Sequence, residues 1–344
     1  MARHVIFAIH GMGDHAADWC DSVAATLEKL YGQYAFAKLL PFADQFEVKP
    51  LFFNDKFDAL REKWETAANE VLALMKPGPH GGGAIAEMTA WAGGANRKTF
   101  LRTHVLDVLL YRFCPTVAGQ VRAAVHHQLM QGIRGAKQWS AIAHSLGTSV
   151  LHDTLVWMFD PQSPAALPPQ GFRMEVLAMV ANVSRVLESS ENGTRWDAYR
   201  SVVQPNVKVT RGVCNSFLNV CHNWDPIPVP KKFKPTADWP DAPTREVPGA
   251  FQDIAIDEIE KPKMVHDFEH YLRNPGVHIP LFRSLLALPG VISPEEEKAA
   301  LDAHRVHHPR AKVQKEIDRL KELRLSDEEA DWKQILAMIH KYFS

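Results

Sequence analysis

Short apolar runs rich in β-branched residues alternate along the chain with longer stretches whose apolar positions recur every three or four residues. The first run, His4 to Ile9, predicts a strand, and Val23, Leu27 and Leu30 then share one face of a helix over Trp19 to Tyr31. A second strand is expected from Phe46 to Phe53. Asn54 or Asp55 can cap a following helix from Phe57 to Met75, where Leu60, Trp64, Ala68, Leu72 and Met75 repeat at helical spacing. Pro77, Pro79, Gly81 to Gly83 and Gly93-Gly94 then break the rhythm and predict a loop enclosing a short apolar turn, Ala84 to Trp91. Helical spacing returns from Thr103 to Ile133, with a break near Pro115. A strand at Gln138 to Ala143, a helix over Leu146 to Phe159 and a Pro-rich turn at Pro161 to Pro169 follow. Further strands are expected at Met174 to Asn182, Val213 to Val220 and Phe251 to Ile259, then a helix over His266 to Leu286. Pro294 and Glu295 to Glu297 open a charged helical tail.

Strands alternating with helices predict an α/β fold: a mostly parallel central sheet with right-handed crossovers and helices on both faces. The expected organisation is one domain over residues 1–292, with a helical insertion at 55–137 that holds a candidate lid. A helical extension over 293–344 carries Leu301, Val313, Ile317, Leu320 and Leu323 at spacing that suits packing back on the domain.

Composition narrows the class without naming it. The 344 residues are 46% hydrophobic and 23% charged, which excludes a collagen-like or wholly disordered chain. Thirty-nine Lys and Arg against 40 Asp and Glu give a formal charge of −1, which offers nucleic acid or an anionic membrane no bulk attraction. Cys20, Cys114, Cys214 and Cys221 form no CxxC pair and read as reduced, structural thiols. The run Val5 to Ile9 is too short for a signal peptide, and no stretch approaches the roughly 20 apolar residues of a membrane span. A cytoplasmic protein is expected.

The chemistry concentrates where the strand Gln138 to Ala143 meets its helix, in Ala143-His144-Ser145-Leu146-Gly147. A serine between strand and helix, flanked two residues away by small residues, suits a strained turn that pushes its hydroxyl out of the sheet. Gly147 meets that need, and Ala143 stands where glycine is usual. The same turn puts Ser145 at a helix N-terminus, where the Leu146 N–H can face a developing oxyanion. His10-Gly11-Met12-Gly13 follows the first strand directly, and the Met12 N–H is a second candidate donor. No G-x-G-x-x-G or Gly-Lys-Ser/Thr follows, so a phosphate cradle is disfavoured.

A nucleophilic serine needs a base, and the base an orienting carboxylate. Asp225 follows a strand in Asn223-Trp224-Asp225-Pro226, on the sheet edge that carries Ser145. Asp153 is the weaker candidate, since it lies on the helix after the serine and points away. For the base, His266 is favoured because it sits closer to the last strand, with His270 four residues on as the alternative and His278 behind both. His222 is expected to steady the acid loop. His304, His307 and His308 can share a helical face, but with no nearby cysteine they make a poor metal site.

Together these residues resemble the α/β-hydrolase superfamily. The run Ala143 to Thr148, continued through Asp153-Thr154-Leu155, looks like the turn and following helix of lipases and intracellular phospholipase A1-type proteins. The Asn219 to Pro226 stretch is similar to their acid-bearing loop, and Tyr271 to Pro275 resembles the helix after the histidine in bacterial lipase-like hydrolases. The resemblance covers roughly residues 4–290. It implies an α/β-hydrolase fold of about six strands, because the chain starts directly at the strand before the Gly11 turn. It also implies carboxylic-ester hydrolysis through an acyl-serine, with Ser145, Asp225 and His266 as catalytic residues, Met12 and Leu146 as oxyanion donors, and no cofactor or metal. The same residues serve acyl transfer or thioester cleavage, and a silent hydrolase-fold binding protein is the reading from another class. The implied partner is a small ester or lipid, with no nucleic acid. Ile85, Met88 and Trp91, flanked by glycines, would offer an acyl chain or a membrane surface a transient apolar contact. Val183 to Gln204, with Trp196, is a second cap candidate.

Overall fold

The computed structural model describes residues 3–57, 107, 110–111, 114–185, 201–205, 212–225, 228, 233, 250–258 and 266–307, apart from 13–14, 17, 162, 164–165, 168 and 224. The helix expected over Phe57 to Met75, the Gly-rich candidate lid, most of the second cap candidate and the tail beyond 307 lie outside them.

Six strands form one open, all-parallel sheet in the order β2-β1-β3-β4-β5-β6. They are β1 (His4–Ile9), β2 (Phe46–Leu51), β3 (Gln138–His144), β4 (Met174–Val180), β5 (Cys214–His222) and β6 (Phe251–Ile256). The central strands are apolar on both faces, as a sheet covered on both sides requires. Side chains alternate between two cores. Val5, Phe7 and Ile9 of β1, Ala141 and Ala143 of β3, and Leu177 and Met179 of β4 enter one. Ile6 and Ala8, Ile142, and Val176, Ala178 and Val180 enter the other. Helices α2 (Pro115–Ile133) and α3 (Leu146–Phe159) close the first core; α1 (Trp19–Tyr31), α4 (Phe268–Arg273) and α5 (Pro275–Leu286) close the second.

The expected strand and helix positions agree with these elements to within three residues at most ends. The break near Pro115 falls at the first residue of α2, where a proline lacks no bond that the helix needs. One expectation is corrected. The single helix over His266 to Leu286 is two helices, parted at Asn274, whose side chain accepts the Gly276 N–H and caps α5 while Pro275 occupies its first turn. His266 therefore precedes α4 rather than belonging to it. Helix α6 (Pro294–His307) begins with a reciprocal cap: Ser293 Oγ accepts the Glu296 N–H at 3.1 Å, and the Glu296 carboxylate accepts the Ser293 N–H at 3.0 Å. Glu296 also accepts the Ala35 N–H, and Glu297 pairs with Arg283, so this helix is tied to the domain at its start. Among the described residues, no helix is long and apolar enough to cross a membrane.

Several histidines are structural. His278 donates from Nδ1 to the Leu272 carbonyl and accepts the Tyr34 hydroxyl at Nε2, 2.7 Å away. His4 Nε2 accepts the Ser140 hydroxyl at 2.8 Å, and that hydroxyl accepts the Val176 N–H. Burial pushes His4, His278 and His222 each down to about 4, so all three are neutral in the fold. Unfolded, they would take up protons near their ordinary value of 6.5. The unfolded chain thus binds more protons below that value, and stability is lost as pH falls from about 6.5 towards about 4. Thermal melts should show the midpoint dropping already between about pH 7 and about pH 5, above the range where carboxylates titrate; a flat midpoint across that interval would contradict it.

Candidate active site

Strand order fixes where a ligand can be held. From β1 the chain goes outward to β2 on one side, then returns to β3 on the other, so the crevice beyond the carboxyl ends of β1 and β3 is the switch point of the sheet. The two segments singled out in the sequence, His10 to Met12 and His144 to Gly147, leave the sheet there.

Between β3 and α3 the backbone turns at a single residue. Ser145 has φ 52° and ψ −125°, a conformation that costs a non-glycine residue roughly 1–3 kcal/mol unless its surroundings hold it. They do: the Ser145 N–H donates to the Val180 carbonyl, and its own carbonyl accepts both the N–H and the hydroxyl of Thr148. Thr148 Oγ in turn accepts the Val183 N–H, tying the start of α3 to the end of β4. The turn also brings backbones into contact. A Cβ on Gly147 would lie 2.3 Å from the His10 carbonyl oxygen, and one on Gly11 would lie 2.8 Å from Ser145 Cβ. Only glycine fits either place.

Ser145 Oγ is 2.7 Å from His266 Nε2, and His266 Nδ1 is 2.6 Å from Asp225 Oδ2. The carboxylate can only accept, so Nδ1 carries the proton and Nε2 is left to accept the serine hydroxyl. Asp225 is held by a turn in which its N–H donates to the His222 carbonyl. Ser145 and Asp225 have no exposed surface, whereas the His266 side chain is 21% exposed. The hydroxyl expected to stand clear of the sheet is thus covered, and the imidazole is the member of the set that solvent reaches.

The other candidates lie elsewhere. His270 lies against other groups: its N–H is taken by the Asp267 carboxylate that caps α4, and its ring lies 5.6 Å from that of His222. Asp153 accepts the Tyr111 hydroxyl and sits 3.0 Å from His152 Nδ1. His278 is bound to Tyr34, and His222 donates to the Glu258 carbonyl while its own carbonyl receives the Asp225 N–H. Leu146 opens α3 immediately after Ser145, and Met12 follows Gly11, whose backbone passes close to Ser145. His144 stacks on Phe268 with rings 5.0 Å apart and lies 4.9 Å from His266; burial first, then the neighbouring His266, holds it well below the ordinary histidine range. Burial, then His15, pushes His10 down to about 3. Both rings are therefore neutral. Among the described residues, no group of three or more His, Cys, Asp or Glu side chains is placed to hold a metal ion.

Sequence reasoning did not single out Tyr271 on its own. Its hydroxyl donates to Asp225 Oδ2 at 2.6 Å, the same oxygen that His266 uses. No spacing rule marks a tyrosine one turn into a short helix as a partner of a loop aspartate. Nor did it single out Thr148, whose role depends on the bend that precedes it.

Compared with known protein families, curated proteins and solved structures, the chain matches none.

The Gly147 contact is testable against an internal control. Gly147→Ala forces a methyl into the His10 carbonyl and should cost about 2–3 kcal/mol in urea denaturation. Gly119→Ala, in α2 with nothing within 4 Å, should instead gain about 0.5–1 kcal/mol. Equal effects would mean that the crossing at residue 147 is looser than described.

Proposed function

We propose that this chain is a serine hydrolase of the α/β-hydrolase type that cleaves carboxylic esters. The single observation that carries the reading is the unbroken line of hydrogen bonds from Ser145 Oγ through His266 to Asp225, set on a bend at the switch point of a parallel sheet. The order serine, aspartate, histidine along the chain is also that of the resemblance.

The geometry suits a definite sequence of steps. Ser145 Oγ attacks the ester carbonyl as its proton passes to His266 Nε2. The imidazolium formed is stabilised by the Asp225 carboxylate, which already receives Nδ1–H. Charge on the carbonyl oxygen is met by the N–H of Leu146, at the positive end of α3, and by that of Met12. The intermediate collapses as the alcohol leaves with the proton from Nε2. Water then attacks the acyl-serine, giving its proton to the same nitrogen; the second intermediate collapses by breaking the bond from Ser145 Oγ to the acyl carbon, Nε2 returns the proton to Oγ, and the acid departs. The neutral state of His144 matters here, because a second imidazolium beside His266 would disfavour charging the base. The reaction calls for no cofactor, and an ester or lipid is the partner that the site would take.

A fluorophosphonate probe tests this directly. Wild-type protein should be labelled and Ser145→Ala should not. On a p-nitrophenyl ester series, His266→Ala should lose kcat by about four orders of magnitude, while His270→Ala retains labelling. Folded wild-type protein that resists the probe would sink the proposal and favour the silent binding protein.

A further inference from the structure

We propose that Tyr271 is a positioning residue for the proposed hydrolase site, holding Asp225 in the orientation and charge distribution that His266 requires. The inference rests on the reading of Ser145, His266 and Asp225 as the reacting set, and it assigns a fourth member that does not touch substrate.

Asp225 Oδ2 receives two hydrogen bonds of 2.6 Å, one from His266 Nδ1 and one from the Tyr271 hydroxyl. The direction of the second is fixed from behind. The Tyr271 oxygen accepts the backbone N–H of His222, the last residue of β5, at 3.2 Å, which leaves the phenolic hydrogen to point at the carboxylate. Tyr271 is fully buried, and burial, then the charge of Asp225, holds its phenol well above the ordinary tyrosine range, so it is a donor at every working pH. A continuous line therefore runs from the carboxyl end of strand β5 to the nucleophile: His222 N–H, Tyr271 O–H, Asp225, His266, Ser145. Each donor has one acceptor, and the strand backbone anchors the far end.

A buried carboxylate with two strong donors on one oxygen spreads its charge between them. Removing the phenol hydroxyl concentrates that charge on His266. The imidazolium is then better stabilised at rest, and the neutral base needed for attack is reached only at higher pH. The carboxylate also gains freedom to rotate, so fewer imidazoles are aimed at Ser145.

Tyr271→Phe keeps the ring packed between His144 and His222 and removes only the hydroxyl. With p-nitrophenyl acetate we expect kcat to fall about tenfold with KM unchanged, and the acid limb of kcat/KM to move up by about half a pH unit. Replacing Tyr271 with 3-fluorotyrosine, a stronger donor of nearly the same size, should move that limb the other way. A residue that merely fills the core leaves the limb in place in both variants, and that result would overturn the proposal. If the phenylalanine variant does not fold, the fluorotyrosine protein decides alone. Proton NMR of the His266 ring, read with and without the hydroxyl, needs no turnover. An unreactive wild type would remove the hydrolase reading, while a titration of that ring unmoved by either variant would remove the role of Tyr271.

Discussion

Everything at this site depends on how closely the start of α3 passes the end of β1. The contact permits no side chain at residue 147, and it leaves Ser145 to make the whole change of direction between strand and helix. The bend is unfavourable by itself. It persists because β4 offers Val180 as an acceptor on one side and Thr148 locks the carbonyl on the other. Sheet packing thus supplies the energy that keeps one serine in a conformation few serines adopt.

Two devices of different kind surround that bend. One is geometric: parallel strands release their loops at a common edge, so residues 11, 145, 225 and 266 meet although the chain separates them widely. The other is electrostatic: the ring packed against the imidazole, that of His144, is a buried histidine kept uncharged, and the Asp225 carboxylate takes the imidazole's Nδ1–H. The first device brings the groups together, and the second keeps competing charge away.

Much of this was legible along the chain. Strands β1, β3 and β4 announced themselves because a sheet covered on both sides needs unbroken apolar runs, and the bend at Ser145 because small residues must flank it. The choice between His266 and His270 was not legible from spacing, since it turns on where α4 begins. Asp267 settles the geometry by capping that helix with its own side chain, leaving His266 outside to face Ser145 and turning His270 into the body of the protein. Nor does the chain betray Tyr271 and Thr148, whose partners come from other strands. Local pattern reveals elements and their edges; a hydrogen bond between a helix and a distant loop becomes visible only after folding.

The order in which the strands arrive has a consequence for synthesis. The strained serine is encoded before the midpoint of the chain, but the aspartate follows β5 and the imidazole follows β6, an edge strand and the last of the six in sequence. A nascent polypeptide emerging from the ribosome therefore holds an unassisted hydroxyl over the 121 residues that separate Ser145 from His266, about a third of the chain. In the proposed hydrolase, reactivity would switch on only when β6 and the residues after it have joined the sheet, so that the completed fold would guard against premature acylation.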